Sequence, residues 1–338
     1  MNSWMAQEIG DTPARLRELA PRWAVACAEA RHVVADRPQR VLVGRGSSGN
    51  ACTFYSYLWA MTSGRGAAEF RPWVATQPDP GGEWRDAAAL VLSVSGESTD
   101  IVHAASWLAD RGAKIVAVTN SGPEDTTLAR RASAHIDLGV GPELAVPATK
   151  TFLAQLCVAA GLCGYPLDEA LSSAADCIDT LLAGSQISRL VDRLAEVRQI
   201  VWVARGPALA VALDAALKLQ ESAGVLSQGY SAAELHHGPI GALDECDVVF
   251  LLNDADEPSQ SLQATTTVLL ARGIPFAVLG DERAAKRFPL FPLPLPAERW
   301  ARSLVFASAS QQIALELAQR LGRNPDAPPG LSKVTHTL

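Results

Sequence analysis

Serines and glycines concentrate in Ser93-Val94-Ser95-Gly96-Glu97-Ser98-Thr99-Asp100, where a run of apolar residues ends and a helix-like segment begins. A helix N-terminus presents unpaired amides and the positive end of its dipole. The hydroxyls of Ser93, Ser95 and Ser98 add donors, and Gly96 lets an anion approach the backbone. This is the chemistry of phosphate binding. A second turn of the same kind, Gly44-Arg45-Gly46-Ser47-Ser48-Gly49-Asn50, also follows an apolar run. Ser95 and Ser98 could instead be ordinary helix caps. Two Ser/Gly turns at the ends of neighbouring strands favour the phosphate reading.

Acid/base groups lie further along. In Leu217-Lys218-Leu219-Gln220-Glu221-Ser222, helical spacing puts Lys218 and Glu221 on one face, as a surface ion pair or as a base with its electrostatic partner. His237 stands in Ser231-Ala232-Ala233-Glu234-Leu235-His236-His237-Gly238-Pro239-Ile240. There Gly-Pro stops the preceding helix, so the imidazole sits at a defined corner, either capping the helix end or exchanging protons near neutral pH. Lys333, in Gly330-Leu331-Ser332-Lys333-Val334-Thr335, reads on its own as a tail lysine.

The elements that must position these groups come in two copies. Three strand-like runs recur at an offset of about 160 residues, the sign of an internal duplication. Arg40–Gly46 matches Ile200–Gly206, Ala89–Val94 matches Asp247–Leu252, and Lys114–Thr119 matches Ile274–Leu279. Amphipathic stretches such as Ile101–Arg111 and Ser261–Arg272 lie between them. This β-α-β-α order predicts an α/β fold of two tandem, doubly wound parallel sheets flanked by helices. The expected organisation is a helical lead-in over 1–38, a first domain over 39–167 with the phosphate site and a linking helix over 168–196. A second domain over 197–323 carries the acid/base residues, and a Pro-rich tail follows over 324–338. In open parallel sheets both Ser/Gly turns emerge at the carboxyl edge, where ligands bind. The matching turn of the second copy, Asn253-Asp254-Ala255-Asp256-Glu257, carries carboxylates that would repel phosphate, so only the first copy is expected to bind it.

Composition narrows the function classes. With 338 residues, 48% hydrophobic and 19% charged, the chain can bury two cores. A net charge of -7 gives no basic footprint for nucleic acid. The amino terminus lacks a basic segment followed by an apolar run, so no secretory signal is expected. Phe152–Cys163, broken by Gln155, is too short to span a bilayer and reads as a core helix. The six cysteines form no CxxC pair and no zinc-like cluster. They read as buried thiols of a cytoplasmic protein. No metal or organic cofactor is expected.

Taken in order, the motifs GRGSSGNA (Gly44–Ala51), SVSGES (Ser93–Ser98), GPELAVPATKTF (Gly141–Phe152), ALKLQE (Ala216–Glu221), AAELHHGP (Ala232–Pro239) and PPGLSKVT (Pro328–Thr335) resemble the sugar isomerase (SIS) domain family. The resemblance is to the isomerase half of glucosamine-6-phosphate synthase and its stand-alone relatives, most of all the second type of glucosamine-6-phosphate deaminase. It implies that Gly46, Ser47, Ser48, Ser93, Val94, Ser95, Ser98, Val146 and Ala148 line the phosphate and sugar. By the same resemblance Glu221 shuttles a proton between C1 and C2 of the open-chain sugar, and His237 opens the ring. Lys333 and Lys218 order the site and stabilise the developing oxyanion.

The resemblance further implies a homodimer with a shared active site, in which His237 comes from the neighbouring subunit and the tail folds over the sugar. Two positions depart from the pattern: Ala148 stands where the synthase has a serine, and Val94 where it has a glutamine. The chain shows neither the glutaminase domain nor its amino-terminal catalytic cysteine, so glutamine-driven synthesis is not expected. The implied reaction converts glucosamine 6-phosphate to fructose 6-phosphate and ammonia. Aldose-ketose isomerisation or deglycation of a fructosamine phosphate would use the same residues. Some family members sense sugar phosphates without catalysis, usually through an added DNA-binding domain. The stretch ahead of the first unit offers little room or positive charge for one.

Overall fold

A computed structural model of the protein describes residues 3–78, 81–194, 197–281 and 290–333. The chain begins with α1 (Trp4–Val33), whose Met5, Ile9, Leu16, Leu19, Ala20, Trp23, Cys27 and Ala30 recur at helical spacing and are all buried. The first sheet holds β1 (Gln39–Val43), β2 (Ala67–Glu69), β3 (Ala87–Leu92), β4 (Lys114–Thr119) and β5 (Ala134–Asp137). Its order is β2-β1-β3-β4-β5 and every pairing is parallel. Its helices are α2 (Gly46–Ser63), α3 (Thr99–Asp110), α4 (Thr127–Arg130) and α5 (Lys150–Leu162).

Both faces of this sheet are covered, which is why β3 is an unbroken apolar run rather than an alternating one. Ala87, Ala89 and Val91 pack with Ile101, Ala104 and Leu108 of α3. On the other side Ala88 and Leu90 share a small cleft with Tyr55 of α2 and Leu162 of α5. Every residue of α5 is buried, as expected of a core helix. Cys27, Cys52, Cys157 and Cys163 are buried free thiols, and burial pushes Cys27 and Cys52 up to about 12.

After α6 (Asp168–Ala183) and α7 (Gln186–Val191) comes a second all-parallel sheet. It is built from β6 (Gln199–Ala204), β7 (Leu226–Ser231), β8 (Val248–Leu252), β9 (Phe276–Gly280) and β10 (Leu290–Pro292) in the order β10-β9-β8-β6-β7. Read from its other edge, this order repeats the first sheet strand for strand: β1, β3 and β4 correspond to β6, β8 and β9. The duplication therefore extends to the edge strands as well. Helices α8 (Leu209–Lys218), α9 (Ala232–Leu235), α10 (Gln260–Arg272) and α11 (Arg302–Arg320) accompany the second sheet. Val201, Val203, Val249 and Leu251 pack with Leu262 and Leu269 of α10.

The chain forms two compact units. One comprises the described residues of Arg15–Glu143, Lys150–Glu169 and Ser332–Leu338 and contains β1–β5; the other comprises those of Met1–Ala14, Leu144–Thr149 and Ala170–Leu331 and contains β6–β10. No helix among the described residues is long and apolar enough to cross a membrane.

Candidate active site

In the β1–β5 unit the strand order 2-1-3-4-5 places a topological switch point between β1 and β3, where ligands of doubly wound sheets bind. The two Ser/Gly turns follow these two strands. Gly46 begins α2 with φ +51° and Gly96 sits between β3 and α3 with φ +64°, so both need the left-handed region that glycine tolerates. A left-handed residue beside a right-handed one turns successive amides toward one concavity, a nest for an anion. Gly44 is needed for a different reason: a Cβ there would lie 2.8 Å from the Ser48 carbonyl oxygen, so only glycine lets the first turn of α2 close over the strand end.

The hydroxyls fall into place around these turns. Ser93 is buried, and its Oγ lies 3.5 Å from Ser98 Oγ. Ser98 occupies the N-cap position of α3 but makes no side-chain capping bond, so the reading of this serine as an ordinary cap loses its support. Ser95 Oγ accepts from the Glu97 amide at 3.3 Å. The Glu97 carboxylate accepts from Thr127 N and Oγ1 at 2.6 and 2.9 Å, which commits it to the start of α4. Ser47 starts α2 after Gly46, and Val94 is a half-buried member of the second turn. Ser48 is buried, and its Oγ accepts from Gln155 Nε2 at 2.9 Å. Gln155, fully buried on α5, was not among the expected site residues; the one polar residue inside the Phe152–Cys163 run was the available signal.

The β6–β10 unit has a different equipment at the same edge. The turn after β6 reads Gly206-Pro207-Ala208, with no amide hydrogen on Pro207 and no hydroxyl on Ala208. After β8 the buried Asp254 carboxylate is gripped by Arg299 Nε and Nη2 at 3.1 and 2.9 Å.

Here α8 runs into a single π turn, Leu219–Ala223, closed by Gly224 at φ +61°. Single π turns inside α-helices are rare and occur frequently at functional sites. Lys218 and Glu221 flank the transition. Lys218 is 0% exposed, so it is no surface lysine, and its Nζ lies 2.5 Å from Glu221 Oε2. The Glu221 side chain keeps 20% exposure, so the carboxylate combines a buried cationic partner with access to solvent. His237 follows α9 in an exposed corner, with its amide bonded to Glu234 O at 2.9 Å and Gly238 beyond it at φ +141°. Among the described residues its imidazole makes no hydrogen bond, whereas neighbouring His236 Nε2 meets Thr265 Oγ1 at 3.1 Å. Val146 and Ala148 belong to the same unit and are half-buried; the Val146 amide donates to Asp326 O at 2.9 Å.

That contact belongs to an anchoring of the tail. Composition alone would leave Asn324–Leu338 mobile, but the Asp326 carboxylate accepts from the Trp4 and Met5 amides at 2.8 Å each, capping α1. In the β1–β5 unit Lys333 Nζ reaches Glu143 Oε2 at 2.8 Å. Residues 334–338 lie outside the described residues. Glu143 also accepts from Thr151 N and Oγ1 at 3.0 and 2.7 Å. Burial would push its carboxyl up, but the Lys333 ammonium and the two Thr151 donors outweigh this and hold it below the ordinary carboxylate range. Glu143 too went unread, although it lies inside the GPELAVPATKTF motif.

The fold and these loops define a duplicated, doubly wound α/β chain whose strand-end turns are equipped differently in its two copies. The chain belongs to the SIS domain family, whose model matches residues 34–162 and 193–285. Over 268 residues it is 29% identical to the glutamine–fructose-6-phosphate aminotransferase (isomerizing) of Brucella abortus, covering 74% of this chain and 44% of that protein. The chain thus spans less than half the length of that curated relative. Among solved structures, a Silicibacter pomeroyi DSS-3 protein provisionally assigned as a phosphosugar isomerase superimposes with a TM-score of 0.81 at 26% identity, covering 96% of this chain and 100% of the other. The glucosamine-6-phosphate deaminase of Thermotoga maritima superimposes with a TM-score of 0.78 at 21% identity, covering 99% and 100%. At that identity the likeness speaks for the fold alone.

Proposed function

We propose that this protein is a phosphosugar isomerase that converts glucosamine 6-phosphate and water to fructose 6-phosphate and ammonia. The observation that carries the reading is the pair of Ser/Gly turns at the β1/β3 switch point, with left-handed Gly46 and Gly96 and no side-chain cap on Ser98. Such a nest suits a phosphate monoester, which would pin the sugar by its C6 end. His237 transfers the proton that opens the ring. Glu221 then takes the C2 proton and returns it to C1, while the Lys218 and Lys333 ammonium groups offset the negative charge that develops on oxygen. The resulting imine at C2 adds water and releases ammonia.

The substrate test is direct. Incubated with glucosamine 6-phosphate and no other nitrogen source, the protein releases ammonia and fructose 6-phosphate in equal amounts. Ketose from glucose 6-phosphate without ammonia from the amino sugar would instead make it an aldose-ketose isomerase. Binding of sugar phosphates with no turnover of any would make it a sensor.

A further inference from the structure

Arg45 has no part in the steps above. It is the N-cap residue of α2, between β1 and the Gly46 turn, and its side chain crosses to α3, where Nε donates to Asp100 Oδ2 at 3.0 Å. Asp100 is the second residue of α3, just past Ser98, and its side chain is 8% exposed while that of Arg45 is 52% exposed. One edge of the guanidinium is therefore fixed on a buried carboxylate. Its two terminal amino groups make no hydrogen bond among the described residues, and the side chain as a whole is 52% exposed.

We infer that Arg45 binds the substrate's phosphate directly through these terminal amino groups, an assignment that rests on the phosphosugar reading above. The amides and hydroxyls of the two turns are neutral, whereas Asp100 and Glu97 stand beside them as carboxylates. A phosphate monoester carries about 1.5 to 2 negative charges near neutral pH. Glu97 is turned to Thr127, and Asp100 is neutralised by the guanidinium whose outer edge then faces the ligand. A planar fork with one edge already anchored meets a phosphate with little ordering left to lose.

The second copy supplies an independent comparison. Arg205 occupies the same place after β6, but its Nη1 donates to Ser231 Oγ at 3.2 Å, in the turn where Pro207 and Ala208 replace Ser47 and Ser48. Where the nest donors are missing, the protein itself takes up a terminal amino group of the arginine.

The test is calorimetric titration of the full chain with inorganic phosphate and with glucosamine 6-phosphate, using wild type, Arg45→Gln, Arg45→Lys and Asp100→Ala, each checked by thermal unfolding. Arg45→Gln weakens both ligands by on the order of ten- to a hundredfold. Arg45→Lys restores only part of the loss, since a point charge lacks the fork, and Asp100→Ala costs much less than Arg45→Gln. If Arg45 served only as a strut between the β1 turn and α3, Arg45→Gln and Asp100→Ala would break the same bond and weaken binding alike, which overturns the assignment. Unchanged affinity in Arg45→Gln overturns it as well. A wild type that binds neither ligand overturns the phosphosugar reading itself, and the assignment with it.

Discussion

Replacing Lys333 by methionine removes its ion pair with Glu143 inside the β1–β5 unit. The Glu143 side chain is 1% exposed, and its donors include Lys333 Nζ at 2.8 Å and Thr151 N and Oγ1; the lysine side chain itself is 30% exposed. Breaking a fully buried ion pair costs about 3–5 kcal/mol. Because water can reach part of the lysine's place, we expect about 2–3 kcal/mol for Lys333→Met. For a unit of this size that lowers Tm by about 4–12 °C.

The pH dependence has a definite sign. The folded-state pKa of Glu143 is depressed, so the pair's stabilisation is fully present above the ordinary carboxylate range and is lost as pH falls through the depressed value. Thermal unfolding followed by circular dichroism should therefore show a constant gap between wild type and variant near neutrality that closes in acid. An unchanged Tm at pH 7, or a gap that widens on acidification, would refute the reasoning.

Other outcomes follow from the same geometry. Glu221→Gln should keep phosphosugar affinity while turnover falls by about 10²–10⁴-fold, and solvent-deuterium exchange at C2 at the wild-type rate would remove Glu221 as the base. Gln155→Leu should weaken glucosamine 6-phosphate binding by about 1 kcal/mol, since Ser48 Oγ loses the donor that orients it at 2.9 Å; calorimetry showing equal affinity would reduce Gln155 to a packing residue. Mixing Glu221→Gln protein with His237→Ala protein should restore part of the activity if the proposed site is shared between two subunits. A mixture that stays inactive despite proven subunit exchange would confine the site to one chain.

The sequence was most legible where periodicity is strongest. Central strands β1, β3, β4 and their counterparts β6, β8, β9 are apolar runs with helical segments between them, and they were readable as a duplication. Edge strands were not. Ala67–Glu69 is three residues long with no buried side chain, and Leu226–Ser231 mixes exposed and buried positions, because an edge strand is covered on fewer sides. The two Ser/Gly turns could be read as turns at strand ends because glycine and serine favour turns and helix starts. Glu143 and Gln155 could not: a carboxylate in a loop and an amide in an apolar helix make contacts with Lys333 and Ser48, residues 190 and 107 positions away, that local spacing does not announce. Spacing placed Lys218 beside Glu221, but neither the π turn nor the full burial of the lysine follows from an i,i+3 relation.

The two copies also show how little must change to alter what a sheet edge can hold. Both units keep the same strand order and the same arginine after the first strand, Arg45 and Arg205. Past that point the differences run in one direction. Ser47 becomes Pro207, which removes an amide donor; Ser48 becomes Ala208, which removes a hydroxyl; and the turn after the next strand, Asn253-Asp254-Ala255-Asp256-Glu257, has no serine and three carboxylates. Asp254 is held by Arg299 at 2.9 and 3.1 Å, so this edge already contains an anion of the protein's own with its counter-charge. A phosphate there would have to compete with a bidentate carboxylate that never dissociates from the chain. The second unit's other distinctive feature is the π turn at the end of α8, where a fully buried lysine meets a carboxylate that solvent can still reach.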